Sequence, residues 1–195
     1  MKEITPQYLL ATESRSHIEG GHWRFVLQRI EGGEQITASD FEVSQVGDRV
    51  ALLAVIRGLE ALPEPARVVL LSDSRYFHRG LRYGLPAWEQ SQWRWERFGR
   101  KVPVKNWDLW SRVAHAMKFH QIRARSWGDI RIPGMDCDWK PLTGGSRISQ
   151  FDSLMRAIRE NLEVPQWQNE EEEAESEPML ARFDSRMGDP HLACA

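Results

Sequence analysis

The feature that most constrains the fold is a short apolar run that breaks abruptly into polar residues. Residues 68–71 are Val-Val-Leu-Leu, a pattern typical of a strand buried on both faces of a sheet. Ser72-Asp73-Ser74 follows directly, and these residue types favour the start of a helix. The run therefore predicts a central strand whose carboxyl end meets a helix, which is where open α/β sheets bind ligands. Asp73 at this position could hold a metal ion or could simply cap the helix.

The residues before this strand predict an antiparallel meander followed by a helix. Apolar stretches at 8–12, 22–30 and 35–43 are predicted strands, and Glu31-Gly-Gly-Glu34 supplies a turn between the last two. Apolar residues recur at helical spacing over 47–62, and prolines follow that stretch.

The residues after the central strand predict three more helices and a fifth strand. The helices are expected at 74–83, 106–119 and 149–162, and the strand at 120–127. This order predicts an α/β fold with a five-stranded mixed sheet, three antiparallel strands leading, and helices packed on both faces.

The formal net charge of −2 hides a strong asymmetry along the chain. Residues 163–195 hold nine Asp and Glu against two Arg, whereas residues 82–125 hold ten basic and three acidic residues. A run as acidic as Glu170–Glu173 cannot bury enough apolar surface to fold alone. We therefore predict a domain over residues 1–164 and a disordered acidic tail over residues 165–195, and the basic segment favours a polyanionic partner.

Compartment and assembly follow from what the sequence contains. The two cysteines, Cys137 and Cys194, do not form a disulfide framework, so a reducing cytoplasm is expected. The first residues lack the apolar core of a signal peptide, and no stretch is long enough to span a bilayer. We expect a cytoplasmic monomer that binds no membrane.

Several segments resemble type 1 ribonuclease H in one consistent order over residues 7–160. The longest is Val102-Pro-Val-Lys-Asn-Trp-Asp-Leu-Trp-Ser-Arg112, which resembles the Lys-Pro-Val-Lys-Asn-x-Asp-Leu-Trp segment of that family. Leu71-Ser-Asp-Ser-Arg-Tyr76 resembles its Asp-Ser-x-Tyr element. Arg49-Val-Ala-Leu52 resembles its Arg-Met-Glu-Leu helix, and Asp152-Ser-Leu-Met-Arg-Ala157 its closing helix. The resemblance implies the same α/β fold, described as ribonuclease H-like.

The resemblance also implies a set of metal ligands that is only partly present. The family hydrolyses the RNA strand of RNA/DNA hybrids with four carboxylates around two Mg²⁺ or Mn²⁺ ions. Glu13, Asp73 and Asp152 match three of these carboxylates, and we expect them to converge at the strand ends. The fourth position is Ala51 here, and Asp48, one helical turn earlier, could replace the missing ligand.

The loop before the last helix departs from the family as well. No histidine stands between the fifth strand and Asp152, although the family has a catalytic histidine in this loop. Asp136 and Asp138 lie in the longer loop of this chain and could also reach the site.

The residues of the family that bind nucleic acid are matched more completely in this chain than its metal ligands. Trp88 and Trp93 match tryptophans of its basic protrusion, although either could instead serve only in packing. Asn106 matches a residue that contacts a DNA phosphate. The remaining predicted contacts are basic residues: Arg75, Arg94, Arg97, Lys101 and Lys105.

These observations leave three functions open. The first is a protein that binds RNA/DNA hybrids, or a related nucleic acid, with cleavage weakened or lost because of Ala51, which is a pseudoenzyme in the extreme case. The second is an active divergent ribonuclease H, an endonuclease and hydrolase that uses Mg²⁺ or Mn²⁺. The third is a protein-interaction adaptor that acts through the acidic tail.

Overall fold

A computed structural model describes residues 5–127 and 151–161 of the 195-residue chain. Within these residues, seven strands and five α-helices are present, and a π-helical turn at Gly80–Gly84 joins the second helix to the third. The strands are β1 (Gln7–Ser16), β2 (Gly20–Arg29), β3 (Ile36–Val43), β4 (Arg67–Leu71), β5 (Arg94–Arg97), β6 (Arg100–Pro103) and β7 (Gln121–Arg125). The helices are α1 (Asp48–Glu60), α2 (Arg75–Arg79), α3 (Leu85–Gln90), α4 (Trp107–Met117) and α5 (Phe151–Asn161).

The main sheet has five strands in the order β3-β2-β1-β4-β7. The first three strands along the chain pair antiparallel, whereas β4 pairs parallel with both β1 and β7. The predicted mixed sheet is therefore confirmed. Residues 68–71 are at most 5% exposed, as the continuous apolar run of a central strand requires.

Helices cover both faces of this sheet, as predicted. Leu10 faces α1, where a Cβ atom on Gly58 would overlap the Leu10 side chain, so the helix approaches the strand closely. Alternate residues such as Leu9 and Val26 point to the opposite face and are also buried. Gln28 shares that face with Val26 and lines a depression together with Met155 of α5.

The segment after β4 contains more regular structure than the sequence predicted. The expected helix over 74–83 is a short α-helix that continues through the π-helical turn into α3, ending at Gln90. Gly80 and Gly84 permit this path, because a Cβ atom at either position would overlap the ring of Trp110 or Trp88. Residues 94–103, for which no element was predicted, form the two-stranded β5–β6 hairpin.

Several predictions concern residues outside the described ranges. They include the loop that contains Asp136 and Asp138, and the acidic tail over residues 165–195, so both remain predictions. None of the helices in the described ranges combines the length and apolar character needed to cross a membrane.

Two of the segments that carry the family resemblance bind each other. Arg49 of α1 donates two hydrogen bonds to Asp108 of α4, from Nη1 to Oδ1 at 2.9 Å and from Nη2 to Oδ2 at 2.7 Å. This two-pronged geometry is the strong form of an arginine–carboxylate pair. The hydrogen bonds from Arg49 lower the pKa of Asp108 below its ordinary value, against a smaller opposing effect of burial.

We expect Arg49→Met to flatten the acid side of the stability profile. A lowered pKa means that the carboxylate of Asp108 stabilises the fold above its ordinary pKa of about 3.9. That contribution is lost as pH falls through the lowered value. Because both side chains are partly exposed, the expected loss is at most about 1 kcal/mol. Urea unfolding between pH 6 and pH 2 (about the range in which a carboxyl of this kind titrates) measures it.

Asp108→Asn is the matched control for this prediction. It should flatten the same part of the profile, and the double variant should add little, because the two changes remove one interaction. An Arg49→Met protein that still loses stability as steeply as the natural protein on acidification would contradict the assignment.

Candidate active site

Glu13 and Asp73 lie just beyond the end of the parallel pairing between β1 and β4. Ala11 of β1 is directly opposite Leu71 of β4, and each acidic residue follows two positions later. Neighbouring strands are about 4.8 Å apart, so the two residues border the same end of the sheet. Glu13 is half-buried and Asp73 is exposed, and Arg15 Nη2 lies 3.5 Å from Glu13 Oε1.

Ser74 caps the helix that follows β4. Its side chain accepts a hydrogen bond from the backbone N–H of Phe77 at 3.1 Å, which is the geometry of an N-cap. The N-cap of α2 is therefore Ser74 and not Asp73. The role of Asp73 as a metal ligand remains a prediction.

The first helix carries an alanine at the position of the fourth ligand and a paired carboxylate one turn earlier. Ala51 is 9% exposed and has no ligating atom. Asp48 lies one turn earlier, and its Oδ2 atom accepts a hydrogen bond from Lys105 Nζ at 3.0 Å. Lys105 would compete with a metal ion for this carboxylate, which can accept more than one partner.

Asp152 lies toward the opposite end of the sheet. Gln35 Nε2 donates to Asp152 Oδ1 at 3.0 Å, and Gln35 immediately precedes Ile36, which pairs with Leu27. By register, Gln35 lies near the level of Leu9, four residues before Glu13. This separation is about 13 Å along the strand direction.

Within residues 5–127 and 151–161, no three His, Cys, Asp or Glu side chains are grouped closely enough to hold a metal ion. The expected convergence of Glu13, Asp73 and Asp152 is therefore not present among these residues. Asp152, in the first turn of α5, is instead bound by Gln35 at the start of β3. The described residues do not by themselves provide the two-metal site implied by the resemblance.

Tyr76 connects the strand end to the basic segment through a network that the sequence did not reveal. Trp110 Nε1 donates to the hydroxyl of Tyr76 at 3.0 Å, and that hydroxyl donates to the backbone oxygen of Lys105 at 2.9 Å. Burial raises the pKa of Tyr76, which keeps the hydroxyl protonated and able to donate. The density of aromatic residues in this region was the only signal in the sequence.

The two tryptophans of the predicted protrusion pack on the core. Trp88 lies edge-on to Trp110, with 5.2 Å between ring centroids. Trp93 has a positive φ of 63°, and its backbone N–H donates to the carbonyl of Trp88 at 2.7 Å. Both are partly buried, so packing is a role they have in the free protein. Contact with nucleic acid remains a prediction for both.

The predicted basic contacts, in contrast, are exposed. Arg75 lies in the first turn of α2, while Arg94, Arg97 and Lys101 lie on the β5–β6 hairpin, and all four are exposed. Asn106 adopts a left-handed conformation at the start of α4, with φ 56° and ψ 33°.

A family model described as RNase H matches residues 14–127. The match covers more than half of the chain and includes the central strand, α1 and the whole α3 and hairpin region. The chain belongs to the ribonuclease H family. Asp73 lies inside the matched range, whereas Glu13 and Asp152 lie outside it.

Curated relatives support the same assignment. The chain is 36% identical over 102 residues to a ribonuclease H of Rhodopirellula baltica, a match that covers 52% of this chain and 65% of the relative. It is 34% identical over 139 residues to a ribonuclease H of Methylococcus capsulatus, which covers 67% of this chain and 81% of the relative. Against three of the relatives it matches, the chain spans only 57 to 65% of their length.

The fold also resembles a solved ribonuclease H. LC9-RNase H1, described as a type 1 RNase H with the type 2 active-site motif, superposes with a TM-score of 0.52 at 22% sequence identity. The similarity covers 69% of this chain and 67% of that protein. At this level of identity, the similarity concerns the fold alone.

Proposed function

We propose that this member of the ribonuclease H family binds RNA/DNA hybrids through its β5–β6 hairpin and adjoining residues, and cleaves the RNA strand weakly or not at all. The observation that supports binding is the exposed hairpin itself. The eight strand residues of the hairpin include four cationic side chains and one acidic side chain, Glu96. The cationic residues are Arg94, Arg97, Arg100 and Lys101. A projecting cationic element of this kind suits a phosphate backbone.

Binding through such a surface would be driven by charge and duplex shape. Hybrid duplexes resemble the A form, in which base edges are difficult to read, so proteins recognise the shape and the phosphates. Lys105 and Arg75 flank the strand end that carries Asp73, and they extend the cationic surface from the hairpin toward that residue. Lys105 is already paired with Asp48, so its contribution to binding would be partial.

Weak cleavage is supported by the missing carboxylate on the first helix. The family arranges four carboxylates around two Mg²⁺ or Mn²⁺ ions, and Ala51 supplies none of the required oxygen atoms. The carboxylate of Asp48 is held by Lys105. A site that lacks one ligand binds two ions at the required spacing less well, because Mg²⁺ demands near-octahedral oxygen coordination.

An active divergent ribonuclease H is the second candidate, and one observation favours it. Glu13 and Asp73 do lie at the same end of adjacent strands, where the family places two of its metal ligands. An active enzyme would need further ligands from elsewhere in the chain.

A binding titration tests the proposal for nucleic-acid recognition. We expect tighter binding of an RNA/DNA hybrid than of double-stranded DNA of the same sequence, measured by fluorescence anisotropy in a chelator so that no strand is cut. Equal affinity for both duplexes would remove the preference for hybrids. The absence of binding to either duplex would overturn the proposal.

We expect Ala51→Glu to raise metal-dependent cleavage of the hybrid by at least about tenfold. Even outer partners of metal ligands change activity by about 10- to 100-fold, and this change would restore a direct ligand. Glutamate and alanine differ by less than about 1 kcal/mol in helix propensity. Because the new carboxylate would lie near Asp48, the variant should be less stable in a chelator and should be stabilised by Mg²⁺.

Ala51→Gln is the matched control, because glutamine has nearly the same size as glutamate but carries no charge. It should gain neither cleavage nor stabilisation by Mg²⁺. Adding Asp73→Asn to Ala51→Glu should abolish the gain. If Ala51→Glu behaves like Ala51→Gln in both assays, the missing ligand is not the reason for weak cleavage.

A further inference from the structure

The turn of the β5–β6 hairpin carries an unfavourable residue. Phe98 and Gly99 form a two-residue turn, with φ of 50° and 71°, between the paired residues Arg97 and Arg100. Turns with two positive φ angles favour Asn-Gly or Asp-Gly, and a bulky residue in that conformation is strained. The Phe98 side chain is also 93% exposed. Phe98 thus has a strained backbone and an apolar ring that is exposed to water. Backbone strain of this kind is associated with functional sites.

The strand residues on either side of this turn carry like charges that repel each other. Arg97 stands directly opposite Arg100, and like charges in directly opposed positions destabilise an antiparallel pair. Glu96, paired with Lys101, points to the other face of the hairpin because side chains alternate along a strand. Within the part of the chain that the structure describes, no salt bridge involves either arginine.

The same face also presents aromatic surface. Trp95 is 39% exposed and shares the face with Arg97, two residues later on the strand. The guanidinium carbon of Arg97 lies 5.7 Å from the centre of the Phe98 ring. Two arginines and two aromatic rings therefore form one surface, the tip face, which consists of Trp95, Arg97, Phe98 and Arg100.

We propose that the tip face binds a single-stranded segment that continues from the hybrid, with unpaired bases stacked on Phe98 and Trp95 and phosphates bound by Arg97 and Arg100. Exposed rings beside cations are how proteins hold single strands, because every unpaired base offers a face for stacking. The bases inside a duplex are already stacked, so a blunt hybrid cannot use these rings in this way. The inference rests on the proposed function, since the tail is bound as part of a hybrid substrate.

The test compares hybrids that differ only in their tails, again in a chelator. The probes are a blunt RNA/DNA hybrid and the same hybrid with a tail of about six nucleotides. One tail is thymidine DNA, one is uridine RNA, and one is an abasic DNA tail that keeps the phosphates and lacks the bases. We expect a tail with bases to tighten binding by about tenfold, and the abasic tail to contribute clearly less. The two tails with bases show whether one type of strand is preferred.

Phe98→Asn separates stacking from a structural role. Asparagine suits the turn, so the melting temperature should stay the same or rise. The gain from a tail should fall toward that of the abasic tail, because only Trp95 is then left for stacking. Affinity for the blunt hybrid should change less than about twofold, because the loss is confined to stacking. Phe119→Asn is the control, since Phe119 is an exposed phenylalanine that follows α4, 55% accessible, and it should retain the full gain.

The outcomes distinguish this inference from the proposed function. Equal affinity for blunt and tailed hybrids, an equal gain from the abasic tail, or a full gain in Phe98→Asn would each overturn the tip face as a stacking site. A further outcome is that the blunt hybrid fails to bind while a single-stranded oligonucleotide binds only when Phe98 is present. In that case the proposed function is wrong and the tip face is still a stacking site. If neither binds, both are wrong.

Discussion

Trp110→Ala is expected to lower the free energy of unfolding by about 3 to 5 kcal/mol, the usual range for a buried tryptophan. The Trp110 side chain is fully buried. Its ring packs parallel to Phe77, with centroids 6.0 Å apart, and edge-on to Trp88. The truncation would leave a large cavity between α4 and the helical run that follows β4. It would also remove the indole hydrogen bond to Tyr76.

Trp107→Ala provides the control on the same helix. Trp107 is 48% exposed, so its truncation should cost no more than about 1 kcal/mol. Urea unfolding of both variants at neutral pH gives the comparison. Similar losses at the two positions would show that Trp110 is not the centre of this packing. Since the helical run starts directly after Asp73, we also expect the Trp110 variant to bind hybrids more weakly.

Reversing the charge of Arg94, Arg97 and Lys101 together is expected to weaken hybrid binding by at least about 100-fold at moderate salt. Each residue that contacts a phosphate contributes about one unit to the slope of log affinity against log salt concentration. The triple variant to glutamate should therefore show a slope shallower by about three units. All three side chains are exposed, so their replacement should leave the fold intact.

A control variant carries the same change in net charge on other elements. Arg29, Arg57 and Lys118 are exposed residues of β2, of α1 and of the turn after α4. Their reversal to glutamate should leave most of the salt slope in place. If the two triple variants lose affinity equally, binding depends on net charge rather than on the hairpin. An unchanged slope in the hairpin variant would place the binding surface elsewhere.

The parts of the fold that could be predicted from the sequence are those with a local signal. Residues 68–71 are apolar without interruption, and the polar residues after them mark the strand end. The meander has a turn rich in glycine, and α1 has apolar residues at helical spacing followed by prolines. Each of these signals arises from neighbouring residues, so no knowledge of tertiary packing was required.

The parts that could not be predicted depend on distant contacts or on unusual backbone. The β5–β6 hairpin lacks alternating apolar residues, and Phe98-Gly99 is not a common turn sequence. The partner of Asp152 depends on where α5 packs, and the sequence within the helix does not determine that. The ion pair between Asp48 and Lys105 joins residues 57 positions apart, so the local sequence carries no signal of it.

A cleavage assay run beside the binding titration tests the central claim most directly. The natural protein is incubated with an RNA/DNA hybrid in Mg²⁺ and, separately, in Mn²⁺, at concentrations at which the titration shows the hybrid to be bound. We predict that the hybrid is bound and that the RNA strand is left largely uncut with either metal. Robust cleavage that is abolished by Asp73→Asn would contradict this account and would identify an active ribonuclease H.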